Sequence, residues 1–232
     1  MNKQSEISEA FGCDQIIKAF KPVFPEARVM QNIIMPMDGF GHCPTAEFDV
    51  IVVCSAGVFP FEIKGHIGKS IEISKAENGA HYWKIHKSHG AVEIQDPLAQ
   101  SGRKIKYLRE SIKSCLVRGF VYFTNQEITL PPNANADVIT TGDLPYLVRS
   151  LRQEAKRREK LLPETDVSRI ADAIHELSQE HTMEEHIINC KKTGEFKRLS
   201  GSVNGRRHAP AENAPRNASV ERRGSNESRI FQ

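Results

Sequence analysis

The sequence has little of what would settle a class at a glance. No apolar run approaches the roughly 20 residues needed to cross a bilayer, so no membrane partner is expected. The opening residues, Met1-Asn2-Lys3-Gln4-Ser5-Glu6, lack the apolar segment of a secretion signal, and a cytoplasmic location is the expectation. There are five cysteines, an odd number, and no Cys-x-x-Cys pair, which fits a reducing compartment. Cys54 and Cys115 lie in apolar stretches and read as small buried hydrophobes. A large charge of one sign is missing too. The net charge is +3, which by itself argues neither for nor against a nucleic-acid partner. Its distribution is more informative. From Glu195 onward there are eight Lys/Arg and four Glu, leaving 24 basic and 25 acidic residues elsewhere, so the excess positive charge sits in the tail.

What is present is enough apolar residue, 39% of 232, for one sizeable α/β domain with appendages. Ile16, Ile17 and Phe20 recur at helical spacing over Asp14 to Phe20, with Pro22 and Pro25 limiting that helix. Phe11, Phe20 and Phe24 read as core. Val29 to Met35 is β-like and closes at Pro36 and the loop Asp38-Gly39-Phe40-Gly41. Phe48 to Val53 and Val58 to Ile63 are strands around the tight turn Ser55-Ala56-Gly57, a hairpin. Pro60, which cannot donate to a ladder, predicts an edge or a bulge in the second strand. Shorter strands are expected over Ser70 to Ile94, around Glu77-Asn78-Gly79 and the single tryptophan, Trp83. Asp96-Pro97 opens a helix with a cap and a first-turn proline, and its apolar stripe is Leu98, Ile105, Leu108, Ile112 and Leu116. Phe120 to Phe123 and Val138-Ile139 are strands; Asp143 to Leu162 and Val167 to Leu177 are helices. After about Lys192 the composition turns to Gly, Ser, Asn, Arg and Pro, and a disordered basic tail is expected. The expected organisation is a domain over 1–125, a helical extension packed on it over 126–192, and the tail over 193–232. The fold class is a mixed α/β sheet flanked by helices.

The chemistry concentrates in the hairpin. Residues two apart on a strand share a face, so Glu47 pairs with Asp49, and Glu62 with Lys64, opposite Phe59, Phe61 and Ile63. Charged groups inside apolar strands are costly unless something compensates them. A hairpin can bring Asp49 near Glu62, and two carboxylates together repel unless a cation joins them. Mg²⁺ suits such oxygen ligands together with water and phosphate. Lys64 would stand beside the metal, orienting or deprotonating a water and stabilising phosphate charge. A bare Glu-x-Lys favours the plainer reading, an ion pair on a wet strand face.

The wider pattern is more specific. Glu47-Phe48-Asp49, then Gly57-Val58-Phe59-Pro60-Phe61-Glu62-Ile63-Lys64-Gly65-His66-Ile67-Gly68, then Trp83, then Asp96-Pro97-Leu98-Ala99-Gln100 resembles the nuclease-related domain, NERD, of the PD-(D/E)xK superfamily, over about Asp14 to Phe123. The resemblance implies a restriction-endonuclease-like fold and hydrolysis of phosphodiester bonds in nucleic acid, DNA rather than RNA, with Mg²⁺ or Mn²⁺. It implies Asp49 and Glu62 as metal ligands, Lys64 as the catalytic lysine and Gln100 as support from the following helix. A first-helix acid is implied as a further metal ligand; Glu9 or Asp14 could fill that place, Asp14 fitting better with the apolar residues behind it. Phe48 stands where the superfamily motif has its proline. The rival is a nuclease-like module that binds nucleic acid or a partner protein without cutting.

Gln100, Arg103, Lys104 and Tyr107 fall on one face of the Asp96-Pro97 helix. If Gln100 points at the metal site, Arg103, Lys104 and Tyr107 flank the path of the nucleic-acid backbone. The run Arg149, Arg152, Lys156, Arg157, Arg158, Lys160 fits a solvated helix face and a nucleic-acid-facing one equally. His81, His86 and His89 around Trp83 lack zinc-ligand spacing and read as a polar hairpin surface.

Overall fold

The structure, a computed structural model, describes residues 3–37, 43–75 and 81–193. The expected loop at Asp38 to Gly41, the turn at Glu77 to Gly79 and the basic tail beyond Thr193 lie outside these residues. The helical and alternating apolar patterns resolve, in chain order, into α1 (Lys3–Phe20), β1 (Arg28–Pro36), β2 (Thr45–Cys54), β3 (Gly57–Lys64), β4 (Ser70–Lys75), β5 (His81–His86), β6 (Ala91–Gln95), α2 (Pro97–Ser111), β7 (Phe120–Phe123), β8 (Val138–Thr140), α3 (Leu144–Arg157), α4 (Glu164–Ser178) and α5 (Met183–Lys192). The fold class is mixed α/β, with two sheets.

The main sheet has the order β1-β2-β3-β7-β8. β1, β2 and β3 form an antiparallel meander, and β7 and β8 join in parallel. One face is covered by α1 and α3, through Ile16, Phe20, Phe59, Phe61, Phe120, Val148 and Leu151. The other is covered by α2 and α4, through Ile51, Val53, Leu108, Val167 and Ile174. The antiparallel sheet β4-β5-β6 packs on that same side, where Trp83 and Ile85 meet Val121 and Phe123 of β7. Continuous burial of Phe120 to Phe123 follows from cover on both faces.

Several sequence expectations need correction. β3 is central, not an edge, and Pro60 pairs in register with Ile51. Val58 N donates to Leu116 O and Arg118 N donates to Val58 O, so even positions of β3 direct their backbone groups toward the β7 side. Pro60 lies between the isolated Val58–Val117 bridge and the start of β3–β7 pairing at Phe61–Phe120, in the same register, so its missing donor falls in the gap between them. α1 begins eleven residues earlier than expected, because its first turns extend past the core: Ile7 is 56% and Phe11 40% exposed, so Phe11 is not a core residue. α3 stops at Arg157 rather than Leu162, with Glu159 at φ 52 turning the chain. α5 was not expected as a separate helix. It opens with a capping box in which Thr182 accepts from Glu185 N and the Glu185 carboxylate accepts from Thr182 N.

Candidate active site

The site forms where β2 and β3 part. Their pairing runs from Cys54–Gly57 to Val50–Phe61. One step further, the Asp49 carboxylate replaces a strand carbonyl and accepts the Ile63 N–H at 2.6 Å. On the other side of β2, pairing with β1 skips Asn32 and Asp49, and Asn32 adopts φ 51. Ala46 and Phe48 consequently share a core with Ile51 and Val53, which strict alternation forbids. This irregularity falls at Asp49 and turns its side chain toward β3.

Glu62 and Lys64 project from the C-terminal end of β3 on the side covered by α2. Lys64 Nζ donates to Glu62 Oε1 at 2.8 Å and to Gln100 Oε1 at 3.3 Å. Asp96 holds the start of α2 by accepting from Leu98 N and Ala99 N, which brings Gln100 in the first turns over Lys64. One turn on, Lys104 Nζ donates to Glu62 Oε2 at 2.5 Å and to Glu47 O at 2.7 Å. The structure thus brings together Asp49, Glu62, Lys64 and Gln100, and adds Lys104.

Lys104 was read in sequence as one of three cations or aromatics along a substrate path. Its side chain is only 15% exposed and reaches inward to Glu62. Tyr107 packs against the core beneath α2; Arg103 is half-buried. Helical spacing gave the shared face correctly but not the reach of a lysine over a carboxylate. Of the two first-helix acids, Asp14 pairs with Lys18 at 2.6 Å on an exposed surface. Glu9 stands near enough to Glu47 to raise its pKa. α1 approaches β3 closely here: a Cβ on Gly65 would collide with Ser8, and one on Gly12 would lie 2.9 Å from Ile63 Cδ1.

The charges are interdependent. Burial foremost, then the Glu62 charge, pushes Asp49 up to about 7. Burial would also raise Glu62, but Lys104 and Lys64 outweigh it and hold Glu62 below the usual carboxylate range. Burial and then Glu9 and Glu62 raise Glu47 against the pull of Lys104. His66, two residues past Lys64, is pushed down to about 4 by burial and by Lys64 and Lys87, and is neutral at physiological pH. The sequence reading assigned His66 no role. His81 and His86 of β5 pair with Asp96 at the start of α2 and with Glu72 of β4, and belong to no metal-like grouping among the described residues.

A mixed sheet whose hairpin presents Asp, Glu and Lys in this relation defines the restriction-endonuclease-like class. The family model of the nuclease-related domain, NERD, matches residues 8–124, and the chain belongs to that family. Comparison with curated proteins and with solved structures gave no match.

Proposed function

We propose that the protein is a divalent-metal-dependent nuclease that cuts DNA. The observation that carries this reading is the Asp49–Glu62–Lys64 grouping at the splayed end of β2 and β3. The donor set fits a hard cation. Burial first, and then the Glu62 charge beside it, keep a proton on Asp49 to about pH 7, a condition a divalent ion relieves. Asp49 and Glu62 would hold Mg²⁺ or Mn²⁺, with Glu9 the better placed of the first-helix acids. Such an ion supplies a more acidic water and polarises a phosphoryl oxygen. The rest falls to the protein. Lys64 brings an ammonium to where phosphate charge develops and can orient the attacking water. Gln100 fixes Lys64 by accepting one of its protons. The Ile63 N–H holds the Asp49 carboxylate against β3, one residue from Glu62.

A second reading rests on Glu62. Both its oxygens are held by lysine ammonium groups, Oε1 by Lys64 and Oε2 by Lys104. A site so neutralised fits a module that binds nucleic acid without cutting. The two separate on incubation of the full chain with plasmid and linear DNA, with RNA alongside, with and without Mg²⁺ or Mn²⁺. The nuclease reading expects cleavage only with metal, lost in Asp49→Ala and Glu62→Ala. Lys64→Ala should lower the rate by about two to three orders of magnitude while still binding Mn²⁺. Binding with no cleavage under any metal supports the second reading. Cleavage undiminished in Glu62→Ala overturns the site.

A further inference from the structure

Away from the carboxylate site, one grouping of ligand-type side chains stands out among the described residues: Cys43, His186 and Cys190, whose candidate ligand atoms all lie within 4.8 Å of one another. Cys43 lies two residues before β2 begins at Thr45. His186 and Cys190 are four apart on α5 and so share one face of that helix. All three are buried, at 0%, 7% and 3% exposure. We propose that they bind a zinc ion that fastens α5 to the strand carrying Glu47 and Asp49. The inference does not rest on the nuclease reading.

The spacing of the two sulfurs is what a tetrahedral zinc requires. Zinc–sulfur bonds of about 2.3 Å and zinc–nitrogen bonds of about 2.0–2.1 Å place two thiolates about 3.8 Å apart and a thiolate and an imidazole about 3.6 Å apart. Here Cys43 Sγ and Cys190 Sγ are 3.8 Å apart, as two thiolates on one zinc would be; His186 Nε2 and Nδ1 lie 3.5 and 3.8 Å from Cys190 Sγ, so the imidazole stands broadside to that sulfur and has to turn to aim Nε2 at an ion between the thiolates. The surroundings fit as well. His186 Nδ1 is 2.9 Å from Thr45 Oγ1; with zinc bound, Nδ1 would carry the proton and donate it there, leaving Nε2 to ligate. Asn189 Nδ2 also donates to Thr45 Oγ1, at 3.4 Å, which leaves the threonine hydroxyl to donate to Cys43 Sγ at 3.9 Å. Fixing the ring's tautomer and supporting a thiolate are the usual tasks of the residues behind zinc ligands.

The charges balance. Binding releases one proton from each thiol to solvent, and Zn²⁺ with two thiolates and a neutral imidazole carries no net charge, as a buried cluster should. Solvent supplies a fourth ligand. Zinc is favoured over magnesium or calcium by the two sulfurs. A pair of ordinary packed thiols would need neither the imidazole nor the Thr45–Asn189 support behind it.

The test uses the full-length protein, purified under reducing conditions without chelator and dialysed against metal-free buffer. Elemental analysis should find about one zinc per chain. Occupancy should fall at least roughly tenfold in Cys43→Ala and in Cys190→Ala, and stay unchanged in Asp49→Ala. Should those variants misfold, the wild-type protein exchanged with Co²⁺ still decides the matter: a thiolate-to-cobalt charge-transfer band and intense tetrahedral d–d bands are expected. Wild-type protein without zinc and without that band overturns the proposal. So does zinc retained in folded Cys43→Ala/Cys190→Ala, or a mass deficit of two hydrogens mapping to a Cys43–Cys190 disulfide.

Discussion

Glu62 carries two lysines, and this pairing decides how the site behaves without metal. Lys104 is buried with it, so removing the ammonium leaves a carboxylate with one partner instead of two. Breaking a buried pair outright costs about 3–5 kcal/mol. With Lys64 still in place, Lys104→Met should cost on the order of 2 kcal/mol in denaturant unfolding. Mn²⁺ should restore more stability to this variant than it adds to wild type; equal gains would show that Lys104 does not neutralise Glu62. Asp49 sets the pH dependence. Its folded pKa lies near 7 against an ordinary value of 3.8, so between these values the folded state binds more protons and this group's contribution to stability falls as pH rises. Glu62 has the opposite sign: held low, it contributes above its ordinary value and loses that contribution as pH falls below it. A cation binding to ionised Asp49 displaces a proton below about pH 7. Mn²⁺ affinity should therefore climb to about pH 7 and level off, as calorimetry between about pH 5.5 and 8 would register. A flat profile would remove Asp49 from the ligand set.

At the scale of elements, the β2–β3 hairpin depends on its turn. Gly57 takes φ 137, and a Cβ there would strike the Leu116 carbonyl, which accepts from Val58 N. Gly57→Ala should cost about 1–3 kcal/mol, read from the urea midpoint. Unchanged stability would mean that the turn relaxes freely. The hairpin was legible because alternation, a turn and three charged residues coincide within a few positions. The place of Gln100 came from the family resemblance; the Asp96-Pro97 cap marked only where its helix begins. The role of Pro60 was not legible: whether a strand is central depends on β7, joined far along the chain, and local propensity carries no trace of that pairing. The inward turn of Lys104 was invisible for a similar reason, since Glu62 and the Glu47 carbonyl meet it only in the tertiary fold. The positions of Glu9 and Asp14 relative to the hairpin depend on the close packing of α1 on β3, which two glycines permit and which local sequence does not show. The His186–Cys190 spacing was readable on a helix, but Cys43 lies 147 residues from Cys190 in sequence.

Over the whole molecule, buried thiols set an alkaline limit. Burial, with Asp14 adding, pushes Cys13 up to about 11, and burial pushes Cys54 up to about 12. Burial also raises Tyr122. Above about pH 9 the unfolded chain gives up these protons while the folded chain keeps them, so stability must decline as pH rises. Melting temperatures should fall steadily above about pH 9, and the fall should be shallower in Cys54→Val. An identical slope in that variant would show that Cys54 titrates alike in both states. The two sheets meet at one further group. Trp83, 1% exposed and with no hydrogen-bond partner for its indole N–H among the described residues, stacks on Phe123 at 6.2 Å, and Phe123 is the register partner of Lys64. Because it is the chain's single tryptophan, the protein carries its own optical probe, one strand away from the lysine on which the proposed chemistry turns. Its emission should be that of a buried indole against one ring, and any change in colour or intensity when a cation or an oligonucleotide is added would report from that one place.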